Sequence, residues 1–430
     1  MSEAKLPKLP LTDVRGAVLR CCRCGQCRSV CPTFAELRDE ANAPRGRLTT
    51  VAALQEGRLV STEDLAQSIT QCTLCLSCAA ECPSAVDLSG IYLAARKELA
   101  DRLGVGSVKG AALSMVARGN RFLPAAAKLM WAGQGLPFRR APANSGLRLR
   151  FPVGAADKDR LLPAFARTPL RQSAPTISGN PGAKARVAYF TGCFDNYFDP
   201  QAGRDVVHVL VRNGYQVLIP PGQGCCALPM LTNGLRDVAL NLMRQNVAAL
   251  MEGNPEAIVV ACASCGSALK EMYARTFESA GDAASAERAR LMAAKTYDVA
   301  QFLAGQGFLP PTQPVEERVT YHDPCHLVRG LGVRAEPRAI LASIPGLTLV
   351  EHKEADRCCG GGGTFSFSHR SLSKRIQERK LGNIAASGAG MIATGCPGCK
   401  YQLNDGLQRL GMSQRVVHTV QLLARGYGVK

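Results

Sequence analysis

The C-terminal half of the chain alternates short apolar, β-branched runs with longer stretches of helical length. Arg186–Phe190 and Arg318–His322 are the first runs of two series. Tyr215–Ile219 and Leu347–Val350 come next, then Ala257–Ala261 and Met391–Thr394. Helical stretches such as Val238–Met251 and Ser371–Ile384 lie between them. Strands alternating with helices predict an α/β layer architecture around a largely parallel sheet. The same order of runs occurs twice, which predicts a duplicated module.

Cysteines mark the same repeat. The first copy reads Cys193, then Cys225-Cys226, then Cys262-x2-Cys265. The second reads Cys325, then Cys358-Cys359, then Cys396-x2-Cys399. Corresponding gaps in the two copies differ by no more than a single position, too regular for coincidence. The cysteines fall after the predicted strands, at the sheet end where open α/β folds place ligands. Neighbours in a strand face opposite ways, so adjacent cysteines need a bend to share a site. Gly222-Gln223-Gly224 and the four glycines Gly360–Gly363 supply one, and glycine lets backbone approach a bulky group. Four thiolates suffice for an ordinary iron–sulfur cube, so one cysteine per module is extra. Isolated buried cysteines are commonly structural, but five at repeated spacing favour a metal site.

The N-terminal part carries a different pattern. It reads Cys21-x2-Cys24-x2-Cys27-x3-Cys31-Pro32 and then Cys72-x2-Cys75-x2-Cys78-x3-Cys82-Pro83. Zinc fits C-x2-C pairs but does not call for a third and fourth cysteine followed by proline. Both runs resemble those of two-cluster ferredoxins, in which the fourth cysteine serves the neighbouring cluster. The implied ligand sets for two [4Fe-4S] clusters are Cys21, Cys24, Cys27 and Cys82 for the first and Cys72, Cys75, Cys78 and Cys31 for the second. Cys22 falls outside the pattern and reads as a spare thiol.

Composition narrows the setting. The chain has 430 residues, enough for two to three domains, and 19 cysteines. Its start, residues 1–13, is polar with no apolar core of a signal peptide, and no apolar run reaches the roughly 18 residues of a membrane span. Thiols kept reduced in a cytoplasmic setting are ligands more readily than disulfides. The net charge is +18, and residues 101–190 alone hold 15 Lys and Arg against three Asp. That basic segment carries no motif. Val108–Trp131 mixes apolar residues with Lys109, Arg118, Arg121 and Lys128, which offers a peripheral contact with an anionic membrane surface on the inner face of the cytoplasmic membrane. The plainer reading is a linker packed on the repeats, and it is favoured because Gly and Pro interrupt any long amphipathic helix. No nucleic-acid-binding module accompanies the basic residues. No G-x-G-x-x-G opens a helix after a strand, and there is no phosphate-binding lysine loop. Arg45 and Arg47 read as a solvated turn. His322 and His326 flank Cys325 and read either as polar first-turn residues or as hydrogen-bond donors to a cluster.

Taken together, these residues resemble the cysteine-rich (CCG) family of iron–sulfur oxidoreductases, whose signature is C-x(30–39)-CC-G-x(33–38)-C-x2-C in two copies. Cys24-Gly25-Gln26-Cys27, Cys31-Pro32-Thr33-Phe34 and Ala43–Arg47 look most like the glycolate oxidase iron–sulfur subunit. Gly192–Tyr197 with Pro200-Gln201 is closer to the small subunit of anaerobic glycerol-3-phosphate dehydrogenase. Tyr321–His326 and Cys358–Thr364 are shared more widely in the family, and the chain resembles heterodisulfide reductase subunits in keeping the five cysteines in both copies. The first module departs from the signature, with Ala227 where the family has glycine. The resemblance implies an α-helical two-cluster ferredoxin-like domain at 1–105, a basic linker at 106–184, and CCG modules at 185–314 and 315–430. It implies one or two further clusters, held by Cys193, Cys225, Cys226, Cys262 and Cys265 and by Cys325, Cys358, Cys359, Cys396 and Cys399. No catalytic residue is expected on this chain. The implied role is electron transfer from an FAD-containing glycolate or lactate dehydrogenase subunit toward a quinone-type acceptor. The alternatives are a heterodisulfide-reductase-like subunit and the glycerol-3-phosphate dehydrogenase partner.

Overall fold

The computed structural model describes residues 14–118, 123–141, 146–150, 159–180 and 182–429. Arg121 and the polar start, residues 1–13, lie outside them.

The N-terminal region is helical. Pro44–Gln55, Glu63–Thr70 and Leu88–Leu103 pack around Val51, Ile69, Ile91 and Tyr92, all essentially inaccessible. Local chemistry sets the helix starts. Thr62 accepts from the Leu65 amide at 3.2 Å, and Asp87 accepts from Gly90 at 3.0 Å, each satisfying an N–H that has no partner within its helix. Gly104, at φ 78°, ends the last helix. The four-residue helices Gln26–Ser29 and Ser77–Ala80 each carry the third cysteine of a run.

The basic segment is more structured than a linker. It contains helices Ser107–Ala117 and Leu123–Gly133 and a hairpin of β1 (Phe138–Arg140) and β2 (Leu147–Leu149). It is also tied to both repeats. Arg160 is buried against Ser366 Oγ at 2.9 Å and Asp405 at 3.4 Å, and the Leu161 amide donates to Asp405 Oδ1 at 2.8 Å. The Ala166 amide donates to the Tyr197 carbonyl at 2.8 Å. β3 (Ile177–Ser178) pairs antiparallel with β5 (Gln216–Leu218), so the first module's sheet begins ahead of residue 185.

That sheet runs in the order β3-β5-β4-β6-β7, with β4 at Arg186–Phe190, β6 at Ala257–Val260 and β7 at Thr296–Asp298. The second sheet runs β11-β10-β8-β9, with β8 at Arg318–His322, β9 at Thr348–Val350, β10 at Met391–Thr394 and β11 at Arg415–His418. Setting β3 aside, all pairings in both sheets are parallel, and the two modules share one strand order. The central strands are buried almost throughout because helices cover both faces; in β4 and β8 only the leading arginine is exposed. The order reverses between β4 and β6, and between β8 and β10. At such a switch point the loops leaving the strand ends diverge and open a crevice.

The modules are joined by buried hydrogen bonds. His418 ends β11, accepts from the Val420 amide at Nδ1 (3.2 Å) and pairs through Nε2 with the Ala261 carbonyl of the first module at 2.8 Å. Acceptance at Nδ1 places the proton on Nε2, so the ring is neutral. Burial, with Lys400 nearby, pushes its pKa down to about 4. The unfolded chain takes up this proton below about pH 6.5 and the folded one does not. The resulting stabilisation is complete above pH 6.5 and is lost as the pH falls toward 4. The loss amounts to up to about 3 kcal/mol. His418→Gln keeps an acceptor and a donor but does not titrate. Urea unfolding between pH 7 and 5 should therefore show a shallower loss of stability in this variant than in the wild type.

Candidate metal centres

The two ferredoxin-like runs fold into matching loops. Arg23 and Gly25 in the first have φ of 55° and 80°; Leu74 and Leu76, at the equivalent places in the second, have 52° and 64°. Three of these four are not glycine, and a left-handed side chain costs about 1–2 kcal/mol. Such conformations persist where something else fixes the loop. What they achieve is to turn three cysteines inward. Cys21, Cys24 and Cys27 surround one small cavity together with Cys82 from the second run. Cys72, Cys75 and Cys78 surround another together with Cys31 from the first. Each fourth cysteine thus stands with the other run's three. Cys22 sits at the rim of the first cavity and is exposed.

Donors already point at these sulfurs. The Phe34 amide and Thr33 Oγ1 lie 3.5 and 3.2 Å from Cys31 Sγ; Ser77 Oγ lies 3.3 Å from Cys75 Sγ. Burial, with neighbouring sulfurs adding to it, pushes Cys75 up to about 11 and Cys78 well above its usual value. Thiols so placed lose their protons only to a compensating positive charge. The arginines that read as a solvated turn supply part of one. Arg47 is 1 % exposed, lines the second cavity and donates to the Ser68 carbonyl at 2.9 Å. Arg45 lines the first cavity, pairs with Glu40 and donates to the Arg23 carbonyl at 3.1 Å. Arg96 is buried too, and ties the second loop, through the Cys72 carbonyl, to the Thr232 carbonyl of the first module.

In the modules the cysteines form one connected series. Cys358 adjoins Cys325, and both lie within electrostatic reach of Cys75 of the second cavity. Cys359 meets Cys399, Cys399 meets Cys396, and Cys396 meets Cys262 of the other module. Cys262 meets Cys265, then Cys226, Cys225 and Cys193 follow. Hydrogen bonds from neighbouring thiols hold Cys226 and Cys396 well below the usual thiol range and bring Cys358 to about 6. Soft sulfur gathered in buried groups suits iron–sulfur chemistry.

Family models match both halves of this arrangement. A 4Fe-4S dicluster domain matches residues 17–86, and a cysteine-rich domain matches 187–270 and again 319–404. Over 426 residues the chain is 30 % identical to a protein named probable glycolate oxidase iron-sulfur subunit from Bacillus subtilis strain 168, covering 96 % of this chain and 95 % of that one. The chain belongs to the cysteine-rich (CCG) iron–sulfur oxidoreductase family. A second relative, from Methanothermobacter marburgensis and named as a subunit of fumarate reductase (CoM/CoB), is 28 % identical and covers 95 % of this chain and 72 % of its own length. Lactate utilization protein A 2 of a Bacillus cereus strain is 31 % identical over 56 % of this chain and 98 % of its own. This CCG protein is accordingly a multi-cluster iron–sulfur protein of the oxidoreductase-subunit kind.

Within the CCG modules, the departure at Ala227 proves to be a change of side chain without a change of backbone. Ala227 takes φ 62°, and its counterpart Gly360 takes 81°. A Cβ on Gly360 would stand 2.8 Å from the Ser373 carbonyl and 3.2 Å from Ile376, whereas the Cβ of Ala227 is accommodated in a fully buried site. Ala227→Gly should be close to neutral. Relief of about 1–2 kcal/mol of left-handed strain is offset by about 0.8 kcal/mol of lost methyl burial and about 0.5–1 kcal/mol of chain entropy. Gly360→Ala should destabilise by about 2 kcal/mol or more, from the same strain plus the carbonyl clash. Thermal unfolding of the two variants should show this asymmetry.

Proposed function

We propose that this chain is the electron-transfer subunit of a flavin-linked 2-hydroxy-acid dehydrogenase of the glycolate or lactate type, relaying electrons from an FAD-containing partner toward a quinone-type acceptor. Its ferredoxin-like ligand sets are Cys21, Cys24, Cys27 and Cys82, and Cys72, Cys75, Cys78 and Cys31. Cys193, Cys225, Cys226, Cys262 and Cys265 hold a further cluster, as do Cys325, Cys358, Cys359, Cys396 and Cys399. Clusters bound there supply one-electron transfer. The observation that carries this reading is the unbroken order of sulfur groups. It runs from the first cavity to the second, to Cys325 and Cys358, and on through Cys396 to Cys262 and the first module. The protein's own contribution is spacing, desolvation and, beside the two ferredoxin-like cavities, the positive charge of Arg45 and Arg47. The kinship with glycolate oxidase and lactate utilization proteins supports the substrate class. No helix among the described residues is long and apolar enough to cross a membrane. Exposed apolar side chains such as Val108 and Leu129 on the basic segment offer a peripheral membrane contact.

A second reading has its own observation. The modules touch at Cys262 and Cys396, which makes a site where a disulfide could meet sulfur groups from both copies, and a CoM/CoB-type relative supports it.

Cys24→Ser and Cys75→Ser should each remove or convert one cluster, read by iron content and by the paramagnetic signals of anaerobically prepared protein. Unchanged iron in both would refute the ferredoxin-like sets. In the complex with its flavoprotein, Cys359→Ser should abolish reduction of a quinone analogue while leaving reduction of a dye that takes electrons from the flavin directly. Undiminished quinone reduction would refute the relay. Reduction of a small heterodisulfide by the isolated chain with a low-potential donor would favour the second reading.

A further inference from the structure

The two modules are built alike, but at one buried position beside the cysteines they differ in kind. His322 is the last residue of β8, three residues before Cys325. It lies opposite Thr394, the last residue of β10 and two residues before Cys396. The imidazole has no solvent exposure, and the Ala355 carbonyl is the acceptor close to it. Neither ring nitrogen reaches a partner at full hydrogen-bond geometry, and a ring that donates to Ala355 still leaves its other nitrogen bare. An imidazole nitrogen buried without a partner costs about 1–3 kcal/mol. The other histidine flanking Cys325 has no such deficit. His326 engages the Leu74 carbonyl at 3.0 Å and Ser264 Oγ at 3.3 Å.

The duplication shows that packing does not require an imidazole there. The residue equivalent to His322 is Phe190, 2 % exposed, which ends β4 and packs in one apolar cluster with Cys225, Cys226 and Cys265. The first copy thus fills the place with hydrocarbon at no polar cost. The second fills it with a ring of similar shape whose nitrogens have at most the Ala355 carbonyl to engage, so that one is left without a partner. What lies in front of that ring is sulfur. One nitrogen of His322, Cys359 Sγ and Cys399 Sγ all lie within 4.8 Å of one another, close enough to share one metal.

We propose that His322 is a nitrogen ligand to iron in the second module, beside Cys359 and Cys399, and that the first module, with Phe190 in its place, binds by thiolates alone. This rests on the reading that the second module holds iron. A neutral nitrogen in place of a thiolate leaves the group less negative and easier to reduce, the direction seen where histidines replace cysteines in two-iron centres. The duplicated modules would then differ in potential through one side chain.

The test uses the full-length protein, purified anaerobically with its iron and labelled with 15N-histidine. Pulsed electron paramagnetic resonance of the reduced protein should show a 15N coupling of the size given by a directly bound nitrogen. The coupling should vanish in His322→Phe and survive in His326→Gln. His322→Cys should keep its iron and shift one midpoint potential downward. The labelled wild type needs no substitution, so a variant that fails to fold does not remove the test. Cys359→Ser separates the two levels of the argument. If it loses iron but the wild type shows no strongly coupled nitrogen, the ligand assignment alone is wrong. If it loses none, the second module holds no iron and the assignment falls with that reading. A coupling that persists in His322→Phe also overturns it.

Discussion

Sulfur packed against sulfur in a dry interior is the constraint from which the rest of this molecule follows. Thiolates repel one another when desolvated, and thiols held in such places resist ionisation, as Cys75 and Cys78 do. The fold answers with positive charge and N–H or O–H donors close to the sulfurs. Arg47 and Arg45 face the two cavities, and Thr33, Ser77 and the Phe34 amide approach individual sulfurs. In the modules the answer is partly mutual, since one thiol donates to the next and holds selected sulfurs below the usual thiol range. A metal centre completes what these local groups only begin.

The same constraint explains why a parallel sheet serves here. Its strands are buried on both faces and end together, so the loops leaving β4, β5 and β6 can converge without exposing apolar surface. Cys193, Cys225-Cys226 and Cys262 each follow one of these strands. The second module repeats the device, and the two meet where Ala263 donates its amide to the Gly395 carbonyl at 3.3 Å.

Much of this was legible in the sequence because it is periodic. Arg186–Phe190, Arg318–His322 and Met391–Thr394 form strands with the expected limits. The offsets of the cysteine groups likewise marked two copies that share a strand order. What was not legible lacks a local signal. Thr296–Asp298 is three residues with a central tyrosine, too short for an alternation to register, and Arg415–His418 runs straight into a helix. Ile177–Ser178 is a strand only because β5 offers it an edge. Arg47 resembles any surface arginine until the fold buries it. His322 and His326 look equivalent around Cys325, and only their surroundings separate a satisfied ring from an unsatisfied one.

The exchange of fourth cysteines between the two N-terminal loops has a consequence for biosynthesis. Cys82 stands with Cys21, Cys24 and Cys27, yet the whole second run must be made before it appears. At about 5–20 residues per second, the first loop leaves the ribosome several seconds before its pocket can be closed. Cys31 waits in the same way for Cys72, Cys75 and Cys78. Neither pocket can be completed ahead of the other's segment, so the N-terminal region matures as a unit. Its half-made thiols meanwhile depend on whatever delivers iron and sulfur to the nascent chain.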